Sequence, residues 1–122
     1  MHICEVFNSF ISVWSSKKRT MSQTSYYAVI FTSIKSPNAD GYDRMSEELE
    51  TLVVNQPGYL GHESARNEIG ITVSYWKDLE SIKNWKMNAL HQTAQKTGRE
   101  NWYQAYKIRI CKVEREYGMG EI

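Results

Sequence analysis

The segment Tyr26–Ile34, YYAVIFTSI, constrains the fold more than any other stretch of the chain. Its aromatic and β-branched residues mark a strand. Alternation places Tyr27, Val29 and Phe31 on one face and Ala28 and Ile30 on the other. Both sets are apolar. A strand in a half-wetted sheet carries polar residues at every second position, so this one requires cover on both sheet faces.

The rest of the chain supplies cover for one face. Ser36–Gly41 has the chemistry of a turn. From Tyr42 to Val54 the apolar residues Tyr42, Met45, Leu49, Leu52 and Val53 recur at helical spacing. Asp43, Glu47, Glu48 and Glu50 read as the solvated side of that helix rather than a metal site. Pro57 and Gly58 close the segment. Tyr59–Arg66 and Ile69–Trp76 read as strands joined through Asn67-Glu68, hence an antiparallel hairpin. In the second of these, Ile69, Ile71, Val73 and Tyr75 share one face. Gly70, Thr72, Ser74 and Trp76 share the other, a small polar surface ending in an indole. Asp78 is a suitable N-cap for a second helix with Leu79, Ile82, Trp85 and Ala89 on its apolar stripe, continued by His91 and Ala94. Gly98 suits its C-terminal end. Trp102–Val113 reads as the last strand.

The order β-α-β-β-α-β specifies an α+β, ferredoxin-like fold with both helices on one face of an antiparallel sheet. The second face remains uncovered. A second copy related by a two-fold axis is the simplest cover, so the expectation is a homodimer, a dimeric α/β barrel.

The same reading assigns residues 1–22 to a leader outside the fold, 23–119 to the domain and 120–122 to a tail. The basic run after Ser16 follows the apolar stretch, the reverse of a secretory signal. No stretch approaches the roughly 18 apolar residues of a spanning helix, and a cytoplasmic location is expected. A formal charge of +1 gives no reason to expect nucleic acid or a membrane surface as partner. Cys4 and Cys111 form no metal-ligand spacing, and Cys111 in an apolar strand reads as a buried, reduced thiol.

The segments QPGYLGHESAR, GITVSYW, HQTAQKTGRENWYQAY and VEREYG resemble the antibiotic biosynthesis monooxygenase superfamily, over roughly Tyr26 to Met119. The resemblance implies a dimeric α+β barrel with an aromatic-lined pocket between helices and sheet. It also implies one of three activities: cofactor-free oxygenation of an aromatic or phenolic molecule, oxidative opening of haem, or small-molecule binding without catalysis. For oxygenation, Trp76, Trp85, Tyr75 and Phe31 are the candidate walls. His91 and His62 are the groups that titrate near neutral pH, and Arg109 is a candidate anion partner. His91, Trp85 and Trp76 are thus the catalytic candidates; Phe31, His62, Tyr75 and Arg109 are the substrate-binding ones. No metal or cofactor is expected in this reading. For haem, the resemblance implies a helix Trp, matched by Trp85, and an iron-binding His. That position falls on Gln95, a poor ligand beside imidazole, with His91 one turn earlier. Each candidate also has a purely structural role: Trp85 as core, His91 as a helix-end cap, His62 as a surface strand residue, and Arg109 with Glu63 as a cross-strand ion pair.

Overall fold

The computed structural model describes residues 25–94 and 102–122, with side chains of 91–94 left aside. The assignment of residues 1–22 to a leader, Gln95 and the helix-ending Gly98 lie outside the described residues. The chain divides into two compact units. Tyr26–Lys112 carries the sheet and helices. The described part of the other includes residues 113–122, which beyond Val113 have neither helix nor strand.

The first unit follows the expected order: β1 (Tyr26–Lys35), α1 (Tyr42–Val53), β2 (Tyr59–Arg66), β3 (Gly70–Trp76), α2 (Leu79–Ala94) and β4 (Tyr103–Val113). The antiparallel sheet runs β2-β3-β1-β4, the ferredoxin-like arrangement. Asp78 caps α2 as expected: its Oδ1 accepts from the Ser81 N–H at 2.8 Å and the Ser81 hydroxyl at 2.7 Å. Gly58 precedes β2 at φ +84°, and a Cβ there would stand 2.0 Å from Ser81 Oγ. Only glycine satisfies both constraints at low cost. The hairpin departs from the expected two-residue turn. Arg66 and Gly70 form the last pair, and Asn67–Ile69 make a three-residue loop closed by Asn67 N–H to the Ile69 carbonyl at 3.1 Å. Ile69 therefore leaves the strand.

Register fixes the faces. Tyr27, Val29, Phe31 and Ser33 of β1 lie opposite Trp76, Ser74, Thr72 and Gly70 of β3. This face meets the helices. Val53 of α1, Trp76 and Ile82 of α2 form the buried cluster, with Tyr27, Val29, Tyr59 and Trp85 packed on it. Trp102 is also core: its indole N–H donates to the Asp40 carbonyl at 2.8 Å, and its own carbonyl accepts from Ser36 N–H at 2.9 Å. These bonds tie the loop before α1 to the start of β4.

The other face carries Ala28, Ile30, Thr32 and Ile34 of β1 and Ile71, Val73 and Tyr75 of β3. Within one chain, Ile34 and Ile71 stand 39% and 45% exposed. Cys111 is half-buried and unpaired. Among the described residues, no helix is long and apolar enough to cross a membrane.

Candidate active site

The helix-facing side of the sheet can be read as rows across three strands. The first row is Tyr27, Trp76 and Tyr59. The next is Val29, Ser74 and His62, followed by Phe31, Thr72 and Ser64. The last is Ser33, Gly70 and Arg66. Rows two residues apart are separated by about 7 Å, so the aromatic first row and the Phe31 row stand roughly 13 Å apart. Between them β3 contributes Ser74, and Thr72 stands beside Phe31, both small and polar. This is a polar floor bounded by rings.

Trp76 dominates one end. It is fully buried. Its ring stacks on Trp85 of α2 at 6.2 Å between centroids and takes Tyr59 edge-on at 5.7 Å. Its indole N–H donates to Ser74 Oγ at 2.8 Å. A serine hydroxyl that accepts this bond still has its own O–H to donate. At the other end Phe31 packs against Tyr103 at 5.4 Å and Tyr106 at 5.6 Å, and Tyr42 of α1 meets Tyr103 edge-on. Arg66 closes the last row: its guanidinium donates to the buried Ser33 hydroxyl at 2.5 Å and to the Tyr42 hydroxyl at 3.3 Å.

His62 is built into the floor by an irregularity in β2. Tyr59 pairs with Trp76 and Gly61 with Tyr75, so Leu60 is an extra residue on the bulged strand. Gly61 takes φ +142°, a conformation side chains rarely adopt. The bulge shifts the alternation by one, and Tyr59 and His62 come to share the helix-facing side. The Tyr59 hydroxyl and His62 Nδ1 share a hydrogen bond at 2.5 Å, and His62 Nε2 lies 3.5 Å from Glu50 Oε1 on α1. Burial, followed by the negative charge of Glu50, pushes the Tyr59 phenol above its ordinary range. Tyr59 therefore stays protonated across physiological pH.

The candidates named from sequence separate into groups. Trp76 and Trp85 are in contact, and His62 is one row away from Trp76. Phe31 bounds the far side of the floor. Tyr75 is on the opposite face of the sheet from Trp76, as neighbours on a strand must be, and its hydroxyl donates to Glu63 Oε2 at 3.2 Å. Arg109 is exposed on β4, at the edge opposite β2, so the expected ion pair with Glu63 does not form. His91 belongs to the last turn of α2, and its side chain lies outside the described residues. His62 is no simple cross-strand surface residue, given its bonds to Tyr59 and Glu50. Sequence reading missed Tyr59, Glu50, Arg66 and Tyr42. The glycine inside β2 was the available signal for the bulge that recruits Tyr59. Among the described residues, no group of three His, Cys, Asp or Glu side chains stands ready to hold a metal.

A family profile described as antibiotic biosynthesis monooxygenase matches residues 25–97. The chain belongs to this family. The antibiotic biosynthesis monooxygenase match covers β1 through the whole of α2 and stops before β4. The chain is 46% identical over 93 residues to the protein YqjZ of Bacillus subtilis, covering 75% of this chain and 82% of that one. It is 25% identical over 101 residues to a jasmonate monooxygenase of Pyricularia oryzae, covering 83% of this chain but only 42% of that longer protein. In fold it is similar to SnoaB, a cofactor-independent oxygenase from Streptomyces nogalater, with a TM-score of 0.59 at 9% identity, covering 77% of this chain and 97% of the other. Family membership makes monooxygenation the activity class to which the site is to be compared; the substrate is a separate question.

Proposed function

We propose that the chain is a cofactor-independent monooxygenase that takes a small aromatic, phenolic molecule on the helix-facing floor. The observation that carries this reading is the polar floor between rings: Ser74 and His62 lie between the Trp76–Trp85–Tyr59 group and Phe31 with Tyr103, and Thr72 stands beside Phe31. Tyr59 and Trp85 at one end, backed by the buried Trp76, and Phe31 with Tyr103 at the other hold a flat, electron-rich substrate by stacking and edge contacts. Removal of a phenolic proton gives an anion that reacts with dioxygen. The protein's contribution is orientation and polar groups near the developing charge. The Ser74 O–H is one such donor, and Arg66 supplies a positive charge at the end of the floor. His62 is the titratable group beside it, with His91 on α2 as the second candidate. Tyr75 and Arg109 have no part in this floor as described. The relative named as a jasmonate monooxygenase and the fold shared with SnoaB support this class of chemistry.

The reading includes a homodimer. The outward stripe of Ala28, Ile30, Ile34, Ile71 and Val73 is apolar, and a second copy covers it with the same stripe, as two-fold interfaces do.

The test is oxygen uptake by purified protein with a panel of hydroquinones and hydroxyanthrones, without added metal or flavin. Turnover that falls at least about tenfold in Trp76→Phe and in His62→Gln supports the reading. A panel without turnover, together with a hemin titration that gives a Soret shift, would replace it by haem binding. No turnover and no shift would leave a binding protein without this chemistry.

A further inference from the structure

Glu50, His62 and Tyr59 come from two elements and meet in a line. The Tyr59 hydroxyl is hydrogen-bonded to His62 Nδ1, and His62 Nε2 lies 3.5 Å from the Glu50 carboxylate. A carboxylate only accepts, so Glu50 beside Nε2 favours the neutral imidazole with its proton on that nitrogen. In that tautomer Nδ1 accepts from the Tyr59 hydroxyl. An acid that orients a histidine, which in turn accepts from a hydroxyl, is the order of groups that moves a proton away from that hydroxyl.

Four further features suit the line to that work. His62 is directly across from Ser74 on the floor, where facing side chains stand about 5 Å apart. Tyr59 packs edge-on against Trp76, so its hydroxyl sits at the rim of the aromatic end. The bulge at Leu60–Gly61 is what brings Tyr59 and His62 to one face; regular alternation would separate them. Glu50 is on the exposed side of α1, with 63% of its side chain in solvent, so the chain leads from the floor to water.

We infer that Glu50, His62 and Tyr59 form a proton relay serving the floor, with the Tyr59 oxygen as the atom that receives the phenolic proton of the substrate. The inference rests on the proposed phenol chemistry. In the step, the substrate O–H bond breaks and its proton forms a new bond to the Tyr59 oxygen. The original Tyr59 O–H breaks at the same time, and its proton forms a bond to His62 Nδ1. The imidazolium so formed is paired with Glu50. The substrate keeps the electron pair as its phenolate, and no group is oxidised until dioxygen takes electrons from that anion. Tyr59 is the catalytic residue in this scheme; His62 holds the proton, and Glu50 is a positioning residue.

The first measurement needs no substrate. Nitrogen-15 NMR of the histidine rings in the full chain is expected to show His62 as the Nε2–H tautomer at neutral pH. Glu50→Gln is expected to release that preference and mix the two tautomers. An Nδ1–H tautomer in the wild type, or no change in Glu50→Gln, would overturn the relay whatever the substrate is. The second measurement uses 4-nitrophenol as the probe, at about pH 6, where the free phenol is mostly neutral. Binding is read by quenching of tryptophan fluorescence and ionisation by the phenolate band. The wild type is expected to bind it and raise the phenolate fraction. Tyr59→Phe and His62→Gln bind without raising it, Glu50→Gln raises it less, and Glu50→Asp restores part of the effect. Binding without ionisation in the wild type overturns the relay and leaves the floor intact. Absence of binding counts against the floor itself, and the proposed relay falls with it.

Discussion

Ser74 offers a test of how the floor and the core are joined. Trp76 has no exposed surface, and among the described residues its indole N–H has Ser74 Oγ as its acceptor, at 2.8 Å. Ser74→Ala removes the acceptor and leaves a buried donor unpaired. That costs about 1–3 kcal/mol, far more than a surface hydroxyl would. The same change made in a Trp76→Phe background orphans nothing, because a phenyl ring has no N–H. There Ser74→Ala is expected to cost less than about 0.5 kcal/mol, the scale of ordinary surface changes. The coupling between the two positions is the difference, roughly 1–2 kcal/mol, within the range for residues that share a bond. Urea denaturation followed by circular dichroism measures all four proteins, since tryptophan emission is itself altered by one of the changes. The denaturant slope should be the same in each, so that the midpoints carry the comparison. Equal cost for Ser74→Ala in both backgrounds would refute the reasoning. So would a negligible cost in the wild type, because the indole N–H would then have found another partner despite its full burial.

Gly58→Ala is expected to destabilise the fold by about 2–3 kcal/mol, combining a left-handed backbone penalty and a Cβ driven into Ser81, less a small gain from a stiffer unfolded chain; thermal denaturation measures it, and Ser81→Gly should relieve part of the cost. Ile71→Lys, on the outward sheet face, is expected to convert the proposed dimer to monomer in sedimentation equilibrium without loss of secondary structure; a wild type that is monomeric at micromolar concentration would refute the dimer. Asp78 is held below the ordinary carboxylate range, first by the Ser81 hydroxyl and then by the Ser81 N–H, so its stabilising effect is present above that range and is lost as pH falls through it. Urea midpoints of the wild type and Asp78→Asn should therefore converge on acidification. The Tyr59 phenol is raised by burial and by Glu50, so the stability linked to it is complete below the ordinary tyrosine range and declines as pH rises through and beyond it. Tyr59→Phe should flatten that alkaline decline.

The architecture was open to reading because its signals are local. The aromatic and β-branched run of Tyr26–Ile34 marked a strand, and β1 is one, lying between β3 and β4. Asp78, three residues before Ser81, announced the cap that the structure contains. The face of Gly70, Thr72, Ser74 and Trp76 followed from the two-residue period alone. The hairpin loop was misjudged by one residue because Ile69 is apolar enough to pass for strand, while the closing bond from Asn67 depends on backbone geometry that side-chain pattern does not encode.

The site was less legible, for a different reason. Its members are brought together by pairing offsets and by the distance between layers, and neither is a property of any one segment. Alternation assigns Tyr59 and His62 to opposite faces; one extra residue at Leu60 reverses that, and its place is set by how β2 registers on β3. Glu50 belongs to a run of acids on the outer side of a helix, indistinguishable in sequence from Glu47 and Glu48. It differs only because α1 crosses the sheet where His62 comes up to meet it. Tyr75 shows the converse error. It was named as a candidate wall together with Trp76, although the two-residue period already put the two on opposite faces. In an α+β layer of this kind, then, the residues that act together should be sought along rows across the strands, where Tyr59, Trp76 and Tyr27 align, rather than along the chain. The next row, Val29, Ser74 and His62, places a hydroxyl and an imidazole side by side on the floor, and the proposed chemistry depends on that pairing.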